Sequence, residues 1–321
     1  MQRRSNWFLL LLFLVIGSVI IIQMLQKPEE MVSFSPEEEG DCWTGAGVNQ
    51  IPVDDSGKLI RYGHDLIEKT AVYLGPKGTV AQISNGMNCQ NCHLEAGTKP
   101  WGNNFGAVAS TYPKIRARSG HKEGIVTRIN DCLERSLNGR ALDSNSLEMQ
   151  AMVAYIKWLG KEIPKGTKPK GTGIKIPPFL TRSANPEKGK QVFISTCQRC
   201  HGSQGEGQLE PDHRSYLYPP LWGEHSYNNG AGLYRLSSFA GYVQNNMPNP
   251  TNYHHPLLTN EQAWDVAAFV NSRPRPVKDQ KTDWPDIRKK PFDHPFGPYA
   301  DSFPEQQHKY GPWQEIRKKG K

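Results

Sequence analysis

Apolar residues make up only 36% of this 321-residue sequence, too few to enclose one large hydrophobic core. A chain of this length divides more naturally into two domains. Glycine (30) and proline (25) are frequent enough to make it loop-rich, but the composition stops short of disorder. Acidic residues are outnumbered, 31 against 39 basic, which leaves a net charge of +8. Such a field gathers acidic proteins or small oxyanions. Long apolar runs are missing except for one, WFLLLLFLVIGSVIIIQML at residues 7–25, which lies behind Arg3 and Arg4. Its length suits a membrane span, and no small-x-small cleavage site follows it. The reading is a signal anchor over 1–27; a cleaved secretory signal is the alternative. Both put the remainder outside the cytoplasm, in a periplasm or at an outer cell surface.

Cysteine is scarce, and four of the six are spent in two copies of one pattern, Cys89-Gln90-Asn91-Cys92-His93 and Cys197-Gln198-Arg199-Cys200-His201. C-x-x-C-H is the attachment pattern of c-type haem. Both thiols fall on one turn, where each forms a thioether to the porphyrin, and the adjacent histidine ligates iron. A zinc site would also use C-x-x-C pairs, but both copies carry the histidine immediately after the second cysteine. The cofactors are therefore two covalently attached haem c groups, with His93 and His201 as proximal ligands. A large apolar macrocycle also supplies each small domain with the core its side chains lack. For an exported haem protein, nucleic acid is excluded as a partner.

The two motifs begin 108 residues apart, and the closing-helix segments Tyr155-Ile156-Lys157-Trp158 and Ala268-Phe269-Val270-Asn271 are offset by 113. Nearly constant spacing indicates an internal duplication. In the second copy, Asn185 and Pro186 cap and open a helix that runs toward the motif. Thr259-Asn260-Glu261-Gln262 has the form of a capping box before a closing helix that stops short of Pro274. The first copy has a helix from about Gly57 to Leu74 and a closing helix capped by Asn145 and Glu148, running through Gly160. Helix, motif, loops and closing helix is the order of cytochrome c.

The prediction is a mainly α fold of two tandem cytochrome c-like domains, 57–160 and 184–275. Residues 28–56 form an N-terminal extension. Lys161 to Ser183 is a proline-, glycine- and lysine-rich connector, extended and mostly solvated. The C-terminal extension, 276–321, carries Trp284, Phe292, Phe296, Tyr299 and Trp313, which suit a segment wrapped over the domains.

Function depends on what faces each iron opposite its histidine. In the second domain Met247, in Asn245-Asn246-Met247-Pro248, follows His201 by 46 residues, among neighbours that do not resemble a core. A His/Met pair raises the potential and suits an electron acceptor or relay. Met87, beside its motif, is poorly placed to reach the far side of a ring. In the first domain the equivalent stretch has no methionine, and Cys132 follows His93 by 39 residues. Met149 and Met152 compete for this role, though their place on an apolar helix face favours packing. Cys132 can equally be a buried thiol, or a disulfide partner of Cys42, for which no other role is evident. As a ligand, its thiolate would lower the potential and remain a nucleophile. The stretch 114–140 holds seven basic residues against three acidic ones. Arg128, Cys132, Arg135 and Ser136 recur on neighbouring turns of a helix over Ile125 to Leu137 and can face one side. Guanidinium groups there would receive a doubly charged oxyanion.

These pieces, NCQNCHLEAGT, YPKIRARSG, RINDCLERSLNG, CQRCH, NNMP and FGPYADSFPEQQHKYGP, resemble the dihaem thiosulfate dehydrogenases, a family that includes tetrathionate reductases. The stretch around Cys132 is the most specific, since ordinary cytochromes c lack it. The resemblance implies a His93/Cys132 haem at the active site and a His201/Met247 haem that passes electrons to a soluble or membrane-bound partner. It implies the joining of two thiosulfate ions into tetrathionate. It also implies that Cys132 carries a thiosulfonate adduct while Arg118, Arg128, Ser136 and Arg140 hold sulfonate oxygens. Some relatives have lysine before the distal methionine and exchange ligands with redox state; Asn246 stands here instead. A membrane-tethered electron carrier without a substrate of its own, or a Sox-like sulfur-oxidation subunit, are the competing functions.

Overall fold

The structure, a computed structural model, describes residues 42–319. In chain order these form α1 (Asp55–Glu68), a hairpin of β1 (Lys114–Ile115) and β2 (Lys122–Glu123), α2 (Ile125–Arg135), α3 (Leu147–Leu159) and α4 (Pro186–Val192). A second hairpin, β3 (Gln208–Leu209) with β4 (Tyr216–Tyr218), leads to α5 (Leu236–Asn246), α6 (Asn260–Ser272), α7 (Glu305–Tyr310) and α8 (Gln314–Lys319), with shorter helical turns between. The fold is mainly helical. The proposed anchor over 1–27 lies outside the described residues, and among those described no helix is long and apolar enough to cross a membrane.

Helix starts follow local capping chemistry. Asp54 accepts a hydrogen bond from the amide of Gly57 at 2.9 Å and opens α1. The helix ends at Glu68 and a separate short one covers Thr70–Leu74, where the sequence suggested a single helix. Ser146, not Asn145, caps α3, accepting from Met149 N at 3.2 Å. Asn185 caps α4 through the amides of Glu187 and Lys188 at 2.9 and 3.1 Å. At α6 both bonds of the Thr259/Gln262 capping box form, at 3.0 and 3.2 Å.

Each domain is built on one helix crossing, and both crossings turn on a glycine. Gly63 of α1 meets the backbone of α3 so closely that a Cβ would run into the carbonyl oxygen of Ala151. Gly189 of α4 meets α6 in the same way, at the carbonyl oxygen of Asp265. Backbones can approach this closely only where no side chain intervenes. The two crossings are physical counterparts, as a duplication requires.

The connector behaves in two ways. Residues 161–170 are largely exposed, as expected, yet Lys165 Nζ donates to Ala109 O at 2.6 Å and Thr167 O accepts from Ser110 Oγ at 2.7 Å, and from Gly171 the chain is more buried against the first domain. Gly171 O accepts from Trp101 N at 2.7 Å, and Gly173 O accepts from Asn103 N at 2.8 Å. The C-terminal segment also lies against the helices. Trp313 is fully buried, its ring centroid 4.7 Å from that of Trp264 in α6. Buried Asp293 accepts from Arg235 Nε at 2.8 Å.

Candidate active site and electron-transfer site

The first C-x-x-C-H motif is a tight turn fixed from both sides. Asn88 N donates to Asn91 Oδ1 at 2.7 Å, and Asn88 Oδ1 accepts from Ala71 N at 2.8 Å. Cys89 N donates to Thr70 Oγ1 at 2.9 Å. His93 is oriented by its Nδ1, which lies 2.5 Å from Asn103 O. That bond leaves Nε2 with its lone pair facing the cavity, the arrangement a metal-ligating histidine needs.

A cavity of about 200 Å³ meets Cys89, and Cys132 of α2 and His93 line the same cavity. Burial works to raise the pKa of this thiol, but the guanidinium of Arg128 and the contact with His93 outweigh it and bring it down to about 7. Burial pushes the Cys89 and Cys92 thiols up to about 12. Three cations, Lys114, Arg128 and Lys168, line the same cavity, and among the described residues no carboxylate does; most of the remaining lining is apolar, including Ile67, Phe105, Ile125, Ile129, Leu133 and Ile156.

The sequence-derived site residues divide here. Cys132 and Arg128 are brought together. Arg118, Ser136 and Arg140 do not line this cavity. Arg118 lies 3.9 Å from Asp283 and beneath the ring of Trp284, while Arg140 is exposed and donates to Gln82 O at 3.1 Å. Arg135, on the next turn from Cys132, points elsewhere as well, toward Asp283. Lys114 stood out in the sequence only as one charge among seven. Lys168 lies in the connector, whose composition reads as solvated chain, and no local signal assigned it to a site. Met149 and Met152 are fully buried and line neither cavity, in keeping with a packing role. Cys42 and Cys132 form no disulfide.

A second cavity, about 550 Å³, brings Cys197, Cys200, His201 and Met247 together. His201 repeats the geometry of His93, with Nδ1 2.8 Å from Pro219 O. Burial holds its pKa below the ordinary value. Met247 follows the last turn of α5, where its amide donates to Val243 O at 2.8 Å. Leu233, Phe239, Val243, Leu258, Val266 and Val270 provide apolar walls. Part of the wall comes from the first domain, through Met87, Asn91 and Cys92. Met87 therefore borders the second cavity rather than the first.

The second cavity thus offers paired thiols, a histidine oriented through Nδ1, a further sulfur and an apolar lining; the first offers Cys89, His93 and Cys132 in a largely apolar lining, while Cys92 of the same motif opens on the second, and the two donor sets fit haem c. Two such sites, each on its own pair of crossed helices, define a c-type cytochrome of two domains. Residues 79–164 match the cytochrome c domain of the SoxA/TsdA family, and residues 186–274 match cytochrome c. A thiosulfate dehydrogenase from Psychrobacter arcticus is 38% identical over 240 residues, covering 73% of this chain and 69% of the relative. Another, from Allochromatium vinosum, is 39% identical over 206 residues, 62% of this chain and 74% of the relative. The solved thiosulfate dehydrogenase of Marichromatium purpuratum, in its as-isolated form, aligns with a TM-score of 0.67 at 30% identity over 73% of this chain. This chain spans only half the length of that structure, 50%. The chain belongs to the thiosulfate dehydrogenase family.

Proposed function

We propose that this protein oxidises two thiosulfate dianions to tetrathionate at Cys132 and passes the two electrons, one at a time, through its second domain to an electron-transfer partner. The observation that carries this reading is the lining of the smaller cavity, where a nucleophilic sulfur with a depressed pKa stands among Lys114, Arg128 and Lys168, with no acidic side chain among the described residues that line it. Two dianions repel each other, and the three cations offset that repulsion. The thiolate splits the coupling into two substitutions. In the first, Cys132 sulfur bonds to the outer sulfur of one thiosulfate, giving a thiosulfonate adduct as two electrons leave the site. In the second, the outer sulfur of another thiosulfate attacks that same sulfur. A sulfur–sulfur bond forms, the bond to Cys132 breaks, and tetrathionate departs with the thiolate restored.

Haem c, held through Cys89 and Cys92 and through Cys197 and Cys200, supplies one-electron redox chemistry when bound. His93 and Cys132 are assigned to the first iron and His201 and Met247 to the second, the higher-potential site. Asn103 and Pro219 orient the two histidines through their carbonyl oxygens. The protein is placed outside the cytoplasm, anchored by residues 7–25; fractionation that leaves it in the membrane pellet after a high-salt wash supports the anchor, and release into the soluble fraction refutes it.

The deciding experiment compares wild type with Cys132→Ala. In wild type, thiosulfate reduces the haems, tetrathionate is produced, and a low-spin thiolate-ligated signature is present. In the variant all three are lost, although two haems remain attached. Undiminished thiosulfate oxidation in the variant removes Cys132 from the chemistry. Wild-type haems that do not respond to thiosulfate would leave an electron carrier without its own substrate.

A further inference from the structure

The second cavity borrows its wall from the first haem motif, and one side chain makes that contact directly. Tyr242, on α5, lines the second cavity together with His201 and Met247, and its hydroxyl donates at 2.6 Å to the carbonyl oxygen of Asn91. Asn91 lies between Cys89 and Cys92, so the acceptor belongs to the peptide linking the two thioether positions of the first site. The bond joins residues 151 apart in sequence. A second tie between the domains avoids both cavities: Asn228 Nδ2 donates to Glu134 O at 2.8 Å.

We infer that Tyr242 is the coupling residue between the two redox sites, and that the Tyr242–Asn91 hydrogen bond, with Cys92 in the shared wall, is the contact across which electrons leave the first site for the second. Asn228 by contrast fixes the two domains together and carries no electron. The inference rests on the two-haem reading but not on the identity of the substrate. One electron crosses at a time; the donor site is oxidised by one, the acceptor site is reduced by one, and no bond forms or breaks. Tyr242 keeps its proton throughout. Burial drives its pKa well above the ordinary value, so the hydroxyl is a fixed donor at any working pH.

The test is the rate of electron redistribution between the two haems after photochemical reduction, with no sulfur compound present, in wild type, Tyr242→Phe and Asn228→Ala. Tyr242→Phe removes one oxygen and keeps the ring. It is expected to slow the redistribution several-fold while leaving two haems per chain, the spectrum of the methionine-ligated haem and both reduction potentials unchanged. Asn228→Ala is expected to lower thermal stability and leave the rate within error of wild type. An unchanged rate in Tyr242→Phe overturns the inference. An equal slowing in Asn228→Ala overturns it as well, since the contact would then only hold the domains in register. A chain with fewer than two haems would fail the two-haem reading itself, and haem quantification reports that separately.

Discussion

Arg135 turns its guanidinium away from Cys132 and clasps Asp283, with its two terminal nitrogens 2.9 and 2.8 Å from the two carboxylate oxygens. The side chains are only 9% and 8% exposed, and Arg118 leans on the same carboxylate from 3.9 Å. The C-terminal segment is thereby bolted to the helix that carries the candidate nucleophile.

Removing that carboxylate leaves Arg118 without its nearest anion and Arg135 with Asp131 alone, 3.6 Å from its Nε. Asp283→Ala is expected to destabilise the protein by about 3 kcal/mol, the cost typical of breaking a buried pair from one side. Urea denaturation followed by circular dichroism measures this, and a loss near zero would mean that solvent reaches the arginines in its place.

Lys168 reaches the first cavity from an exposed stretch of connector. Lys168→Glu is expected to raise KM for thiosulfate about fivefold, equivalent to roughly 1 kcal/mol for an exposed charge, with kcat nearly unchanged. Added salt should shrink the difference, because exposed charges are screened. A salt-independent fall in kcat would place Lys168 in the chemistry instead of at the approach.

Arg128 and Arg140 separate two readings of the basic segment. Arg128→Ala is expected to lower kcat/KM about a hundredfold, as the loss of one preorganised donor to a charged transition state does. Arg140→Ala should have a much smaller effect, since its guanidinium is exposed and held to Gln82 O. Equal losses in the two variants would show that Arg140 swings into the site during turnover.

His294 is buried between the C-terminal segment and the helices, with Trp284 and Phe296 against its ring. Burial lowers its pKa from an ordinary 6.5 to about 4. As pH falls through 6.5 the unfolded chain takes up this proton while the folded chain does not, so the contribution of the neutral ring is complete above pH 6.5 and is lost as pH approaches 4. The loss amounts to about 3 kcal/mol. His294→Gln should flatten that part of the stability profile in urea titrations; an unchanged slope would assign the acid sensitivity to other groups.

The parts of this architecture that were readable in the sequence are those set by near neighbours. Asn185 before Pro186 and Thr259 three residues before Gln262 announce helix starts because their partners lie within one turn. The two haem motifs are equally local. Spacing put Cys132 forward as a candidate opposite His93, and both side chains line one cavity. Gly63 and Gly189 gave no sign of their role, because a glycine at a helix crossing has meaning only once the opposite backbone is known. Periodicity put Arg128, Cys132, Arg135 and Ser136 on neighbouring turns but could not say which would turn toward Asp283, since that carboxylate is 148 residues away from Arg135. Lys168 was hidden for the same reason, as a composition typical of solvated linkers says nothing about where the chain is led.

The backbone bonds from Trp101 and Asn103 to Gly171 and Gly173 redraw the unit that can be cut from this molecule. Because Asn103 also orients His93, the segment that leaves the first domain helps to hold up the histidine of the first motif. A fragment ending at Gly160, where the closing helix ends, would lack that support. A separable first module therefore has to run on to about residue 175, and grafting a different spacer between the two halves would alter the first haem site before it altered the distance between them.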